Sequence, residues 1–313
     1  MDAGYGHKPV LLDECMSALA IRPDGVYVDG TLGRAGHSLA IVRRLTAGGR
    51  LIALDRDETA LAAARERLVD YLDRVTLVHS NFSRLGAVLD SLGVDGADGM
   101  LFDLGVSSPQ LDDARRGFSY RQDAPLDMRM DASAPLTARQ LVNAASYEEL
   151  CRILYEYGEE RYAPQIARAI CETREKRPIE TTLALAELIR GAMPAKALRE
   201  KQHPAKRSFQ ALRIAVNDEL GELEPMLDAA EAHMRPGGRL AVVTFHSLED
   251  RIVKRKLKDF ATGCTCPPEF PVCVCGRKPR MTLVTRKPVA ASEAELTENP
   301  RARSAKLRVA QKC

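Results

Sequence analysis

Four short runs, VYVD (26–29), RLIALD (50–55), VTLVH (75–79) and GMLFDLG (99–105), are rich in apolar and β-branched residues and alternate with amphipathic segments. Between the second and third, ETALAAARERLVDYL (58–72) repeats its apolar residues at three- and four-residue spacing, the period of a helix face. Alternation of this kind predicts a parallel, doubly wound α/β sheet, because neighbouring parallel strands need a long crossover that is usually a helix. It also says where a ligand would sit, outside the carboxyl ends of the strands.

The alternation stops after Asp103. The next helix that leads into a strand is expected to begin near Ser208 and end in RPGGRLAVVTF. About a hundred residues intervene, against the roughly two to six of an ordinary βα connection. LTARQLVNAAS, YEELCRILYEYG, RYAPQIARAICETREK and TTLALAELIRGA within them each carry a helical period. The expected division is therefore a discontinuous sheet domain, 1–111 and 208–313, interrupted by an inserted helical domain, 112–207. RMTLVTRK (280–287) and AKLRVA (305–310) read as two last strands.

The first strand ends in Asp29 and runs into GTLGRAGHS, a glycine-rich turn that opens a helix near His37. Asp55 closes the second strand, where an acidic side chain suits ribose hydroxyls. His79 ends the third strand and Asp103 the fourth, and Phe82 just beyond is placed to stack on a purine. A dinucleotide needs a close approach of backbone to pyrophosphate, but position 32 is Leu and the spacing is GxxGxxG. Acidic strand ends would repel a pyrophosphate and suit an ammonium and a sulfonium. These residues point to S-adenosylmethionine. Their bland alternative is a turn whose glycines only permit positive φ.

The net charge of +3 is too small to mark a nucleic-acid binder by itself, but basic residues cluster locally. From Gly276 to Cys313 there are ten Lys or Arg against three Glu, and Lys196–Arg213 holds six against Glu200 alone. Such stretches suit a phosphate-contacting face or a merely solvated one. No apolar stretch approaches the ~20 residues of a membrane span, and MDAGYGHKPV has no signal-peptide core, so a cytoplasmic protein is expected.

HKPVLLDE, IRPDGVYVDGTLGRAGHS, LFDLGVSSPQLDDARRGFSYRQDAPLDMRMD, YGEERYAPQIARAI, FQALRIAVNDEL, PGGRLAVVTFHSLEDRIVK and NPRARSAKLRVA together resemble the bacterial RsmH (MraW) family over essentially the whole chain. The resemblance implies a class I, Rossmann-like methyltransferase with a terminal antiparallel strand and a helical insertion. It implies S-adenosylmethionine-dependent methylation of the N4 of a cytidine in the decoding centre of 16S ribosomal RNA, near the P site. The small ribosomal subunit is the implied partner, with room for a homodimer and no membrane. The implied cofactor positions are Ala35, Gly36, His37, Asp55, Phe82, Asp103 and Gln110. The family's turn usually reads GRGGH. Ala35 departs from it, adding a methyl group at a place that favours glycine.

The exocyclic N4 of cytosine is a poor nucleophile, so transfer needs in-line placement and an acceptor for an N–H as charge develops. Asp103, at the head of DLGVSSPQ, is the candidate acceptor. That motif is like the acidic/Ser-Pro-Pro-aromatic motif of amino-methyltransferases, but lacks its second Pro and its aromatic. Phe118 and Tyr120, flanked by Arg115, Arg116 and Arg121, are the candidates to stack a splayed base, unless they pack the insertion. His246 is a candidate to orient substrate, with Asp250 beside it, unless both make structural hydrogen bonds. Arg301 and Arg303 are candidates to grip phosphates from an extended loop, the alternative being ion pairs with Glu293, Glu295 or Glu298.

Cys15, Cys151 and Cys171 read as small core residues of a reduced chain. Cys264, Cys266, Cys273 and Cys275 form two CxC pairs. Zinc and unligated or redox-sensitive thiols both fit them, so the metal is left unknown. The rival functions are a DNA amino-methyltransferase, sharing cofactor and reaction, and a nicotinamide-dependent oxidoreductase, which Leu32 opposes. A third is a non-catalytic RNA-binding or assembly protein, which intact Asp55, Asp103 and Gln110 oppose.

Overall fold

The computed structural model describes residues 9–267 and 270–313. Most of the opening stretch in which an export signal would sit lies outside the described residues, as do Pro268 and Glu269. Seven strands form one sheet: β1 Val26–Asp29, β2 Arg50–Asp55, β3 Val75–His79, β4 Ala97–Asp103, β5 Met234–Thr244, β6 Met281–Leu283 and β7 Lys306–Lys312. Their order is β3-β2-β1-β4-β5-β7-β6. β1 to β5 are parallel, and β7 runs antiparallel to β5 and β6. This is a Rossmann-like sheet with a reversed strand near one edge.

Strand residues point alternately to the two faces, and both faces are covered. Val28, Ile52, Leu54, Met100, Phe102, Leu240 and Val242 are buried on one side. Tyr27, Leu51, Ala53, Leu101, Ala241 and Val243 are buried on the other. Such double coverage explains why β4 reads as a continuous buried run rather than an alternating one. The strand order reverses between β1 and β4, which opens a crevice at their carboxyl ends.

The chain divides into two compact units, Met1–Gly105 with Leu220–Cys313, and Val106–Glu219. The second is wider than the expected 112–207 at both ends. The helix expected to lead from Ser208 into a strand instead spans Lys206–Asn217 and belongs wholly to the helical unit. It packs so closely on the helix Tyr147–Gly158 that a Cβ on Gly158 would lie 2.8 Å from the Arg207 carbonyl oxygen. A different helix, Leu223–Ala232, leads into β5. The remaining helices of the unit include Ala138–Ala144, Ala163–Arg174 and Thr182–Ala192. Thr137, Ser146 and Thr181 cap helices by accepting from backbone N–H groups, satisfying donors that the first turn leaves open. Leu150, Ile153, Ile166, Ile170, Leu185, Ile189, Phe209 and Leu212 form a core of the unit's own. Among the described residues no helix is long and apolar enough to cross a membrane.

Candidate active site

Register sets the site. Asp29 pairs with Ala53 on one side and Leu101 on the other, so Asp55 and Asp103 each reach two residues beyond it. The glycine-rich turn is strapped across these ends. Gly30 N–H donates to the Leu101 carbonyl at 2.9 Å, Leu32 N–H to the Leu54 carbonyl at 2.9 Å, and Asp103 N–H to Thr31 Oγ1 at 2.6 Å. Asp29 is buried and occupied, accepting from Ser38 Oγ at 2.6 Å and Thr31 N–H at 3.1 Å. Burial pushes its carboxyl above the usual range. It anchors the turn and is not available to a ligand.

Gly33 and Ala35 both lie in the left-handed region, at φ +49° and +57°. The departure from GRGGH therefore falls where an added methyl is strained. Ala35 is nonetheless buried against the sheet unit's core, which offsets part of that cost. Gly36 begins the helix Gly36–Val42, and a Cβ there would lie 2.3 Å from Pro9 Cγ. His37 is buried, with Nε2 3.1 Å from the Val10 carbonyl and Nδ1 3.7 Å from Asp103 Oδ2.

Asp55 is half-buried. Oδ2 accepts from Gly33 N–H and Oδ1 from Asp57 N–H, each at 2.8 Å. Burial raises its carboxyl to about 6, although these two backbone bonds oppose the rise. It thus holds the turn's shape while one edge stays accessible. Phe82 is largely buried, edge-on to Phe102 with ring centroids 6.4 Å apart and the Arg56 guanidinium 5.9 Å over its ring. His79 ends β3 exposed and contacts the Arg56 carbonyl and Glu58.

Asp103 differs from the others. Its Oδ1 is buried and has no hydrogen-bond partner. Burial pushes the carboxyl up to about 6; His37 opposes the rise, and Asp29 and Glu249 add to it. An unpaired carboxylate oxygen at a strand end, ringed by other acids, will accept an N–H or a cation and will repel phosphate.

His246 caps the helix Ser247–Phe260, Nδ1 accepting from Glu249 N–H at 3.4 Å, while Glu249 Oε2 accepts from the N–H groups of Phe245 and His246. The His246 Nε2 lies 3.1 Å from Glu249 Oε1 but makes no aligned hydrogen bond. Glu249 was not foreseen, although its place three residues after the cap is a capping-box signal. Asp250 is turned away to Arg308, which settles its reading as structural.

Gln110 lies in the helical unit, where its Oε1 accepts from Ser107 N–H at 3.0 Å and closes the capping box of the helix Ser108–Asp112. Phe118 is buried among Leu126, Met128 and the helices, so it has no free face for a base. Tyr120 already stacks on His203, centroids 4.4 Å apart, with Phe209 edge-on. The expected pair of base-stacking aromatics is corrected to one core ring and one half-buried ring with an exposed histidine partner. Arg116 donates to the Arg129 and Met130 carbonyls and is likewise structural.

Arg301 and Arg303 flank the buried Ala302 in the 3-10 turn Pro300–Ser304, not in an extended loop, so they do not point the same way. Both are exposed. Glu295 is excluded as a free partner because it is buried and accepts from Leu11 N–H. Several tail cations are already ion-paired: Arg277 and Arg280 with Asp259, Lys306 and Arg308 with Asp250, and Lys312 with Glu231.

The model of the MraW methylase family matches residues 4–313. The protein named ribosomal RNA small subunit methyltransferase H of Brevibacillus brevis is 57% identical over 309 residues, covering 98% of each chain. Its namesake in Symbiobacterium thermophilum is 59% identical over 304 residues, 97% of this chain and 96% of that one.

Proposed function

The chain belongs to the MraW methylase family, and from that premise we propose that it transfers a methyl group from S-adenosylmethionine to the N4 of a cytidine in the decoding centre of 16S ribosomal RNA. The observation that carries this reading is the buried, unpartnered Asp103 Oδ1 at the end of β4. Bound S-adenosylmethionine supplies a methyl already activated by its sulfonium. The turn from Gly30 to His37, with Ala35 and Gly36 at the start of its helix, gives close backbone access. Asp55 is assigned to the ribose hydroxyls and Phe82 to stacking on the adenine ring. Asp103 accepts an N–H of the attacking amino group, holding its lone pair in line as the nitrogen–carbon bond forms and the carbon–sulfur bond breaks. The proton leaves towards the carboxylate. His246 is assigned, through Nε2, to orienting substrate, and Gln110 keeps the cofactor role that the family resemblance implies.

Tritiated S-adenosylmethionine offered to small ribosomal subunits and to duplex DNA in parallel tests the substrate. Label in the 16S RNA alone supports the reading. Label in DNA would replace it with the amino-methyltransferase alternative.

Asp55→Ala should weaken S-adenosylmethionine by roughly 1.5–3 kcal/mol, the range for hydrogen bonds to a charged group. Part of that loss comes through Gly33, whose N–H would lose its acceptor. Calorimetry on folded Asp55→Ala protein giving parental affinity removes Asp55 from the site.

The helical unit, with Tyr120 and His203 and exposed Arg121 near them, is assigned to RNA recognition together with Arg301 and Arg303. The double variant Arg301→Ala/Arg303→Ala should keep cofactor affinity and lower the slope of log K against log salt by about one to two units. Lowered stability with an unchanged slope would make these arginines structural.

A further inference from the structure

We propose that Cys264, Cys266, Cys273 and Cys275 hold one zinc ion that closes the segment following the helix Ser247–Phe260. All four Sγ atoms lie within 4.8 Å of one another. The Cys273–Cys275 and Cys264–Cys275 sulfurs are 3.6 and 3.7 Å apart. Four sulfurs bonded to one tetrahedral zinc at ~2.3 Å stand roughly 3.8 Å apart, so the thiols are already arranged as such a ligand set. A disulfide would need ~2.05 Å.

Two further observations point the same way. Backbone N–H groups of Cys266 and Val274 approach Cys264 Sγ and Cys266 Sγ, both at 3.4 Å, which is the support that metal-bound thiolates receive. The apolar side chains of the segment turn outwards, with Phe270 51%, Val272 70% and Val274 74% exposed. Burial therefore does not hold these residues in place, and the cysteines, mostly exposed themselves, converge without an apolar core around them. The segment's far end is tied back to the helix: Arg277 binds Asp259, and Arg280 N–H donates to the Phe260 carbonyl at 2.8 Å. A metal would close the intervening chain on itself.

Four protein thiolates fill a tetrahedron and leave no open position, so the site is structural and stands apart from methyl transfer. Binding takes up one Zn²⁺, converts four thiols to thiolates and releases four protons.

The test uses the full-length protein, reduced, stripped with a chelator and titrated anaerobically with Co²⁺ and then Zn²⁺. One equivalent of cobalt should give an intense thiolate charge-transfer band and the visible bands of a tetrahedral ion, both bleached by zinc. Cys264→Ser/Cys275→Ser should abolish the band, whereas Cys151→Ser should leave it. Zinc should also slow tryptic cleavage after Arg277, two residues past Cys275, by about tenfold or more, an effect that the double variant loses. Reduced protein that takes up no metal, or a cobalt spectrum that survives the double substitution, would overturn the proposal.

Discussion

Asp103→Asn is expected to lower methyl transfer about a hundred- to a thousandfold while leaving a folded protein more stable than its parent above pH 7. The first part follows from the loss of a buried carboxylate oxygen that, among the described residues at the strand ends, alone has no protein hydrogen-bond partner. The second follows from linkage. The folded carboxyl sits at about 6, and its side chain is 24% exposed. In the unfolded chain an aspartate titrates near ~3.9. The folded state therefore keeps a proton that the unfolded chain has released. The stability this gives is complete below about pH 4 and is lost as pH rises through about 6. Asparagine has no proton to lose, so the variant's advantage should open across that window and level off at roughly 1–3 kcal/mol. The same titration governs activity: parental kcat/KM should fall as pH drops through about 6, because only the ionised group carries the charge that offsets the developing positive nitrogen and can take up its proton. Melting curves across this range and a pH–rate profile check both. A variant with parental turnover, or with no pH-dependent gain in stability, contradicts the role given to Asp103.

The second large effect concerns stability. Arg308→Ala should cost up to about 3–5 kcal/mol, because it leaves the largely buried Asp250 carboxylate with only Lys306 beside it. Arg308 Nε and Nη2 lie 2.7 and 3.1 Å from the two Asp250 oxygens, with side chains only 9% and 13% exposed. Burial alone would raise the Asp250 carboxyl, but Arg308 and Lys306 outweigh it and hold it below the usual range. The stability it contributes is therefore present above about pH 4 and is lost as pH falls through the depressed folded value. Thermal unfolding should move down by on the order of 10 °C. The double variant Asp250→Leu/Arg308→Met should recover much of the loss, since it removes both charges. A shift below about 1 kcal/mol for Arg308→Ala would class the pair with exposed ion pairs.

Period and strand ends made much of this legible in the sequence. The four early strands and their terminal Asp29, Asp55 and Asp103 stand where apolar runs and acidic stops placed them, because a sheet covered on both faces leaves little freedom in register. The division between the units was less legible. Lys206–Asn217 has an amphipathic period that suits either unit, and only its close approach at Gly158 decides the matter. Side-chain roles were the least legible. Phe118 and Arg116 carry the residue types of an RNA surface, yet one is core and the other is spent on carbonyls. Composition could not show that the basic tail meets Asp250, Asp259 and Glu231, since those partners lie elsewhere in the chain. Arg301 and Arg303 were misplaced because Pro300 starts a 3-10 turn where an extended loop was expected.

Nucleoside mass spectrometry on 16S RNA from small subunits incubated with S-adenosylmethionine and either parental or Asp103→Asn protein tests the central claim most directly. The parent should give N4-methylcytidine at one decoding-centre position, and the variant at most about a hundredth as much. A methyl group on another atom or on DNA, or an equal yield from Asp103→Asn, would contradict it.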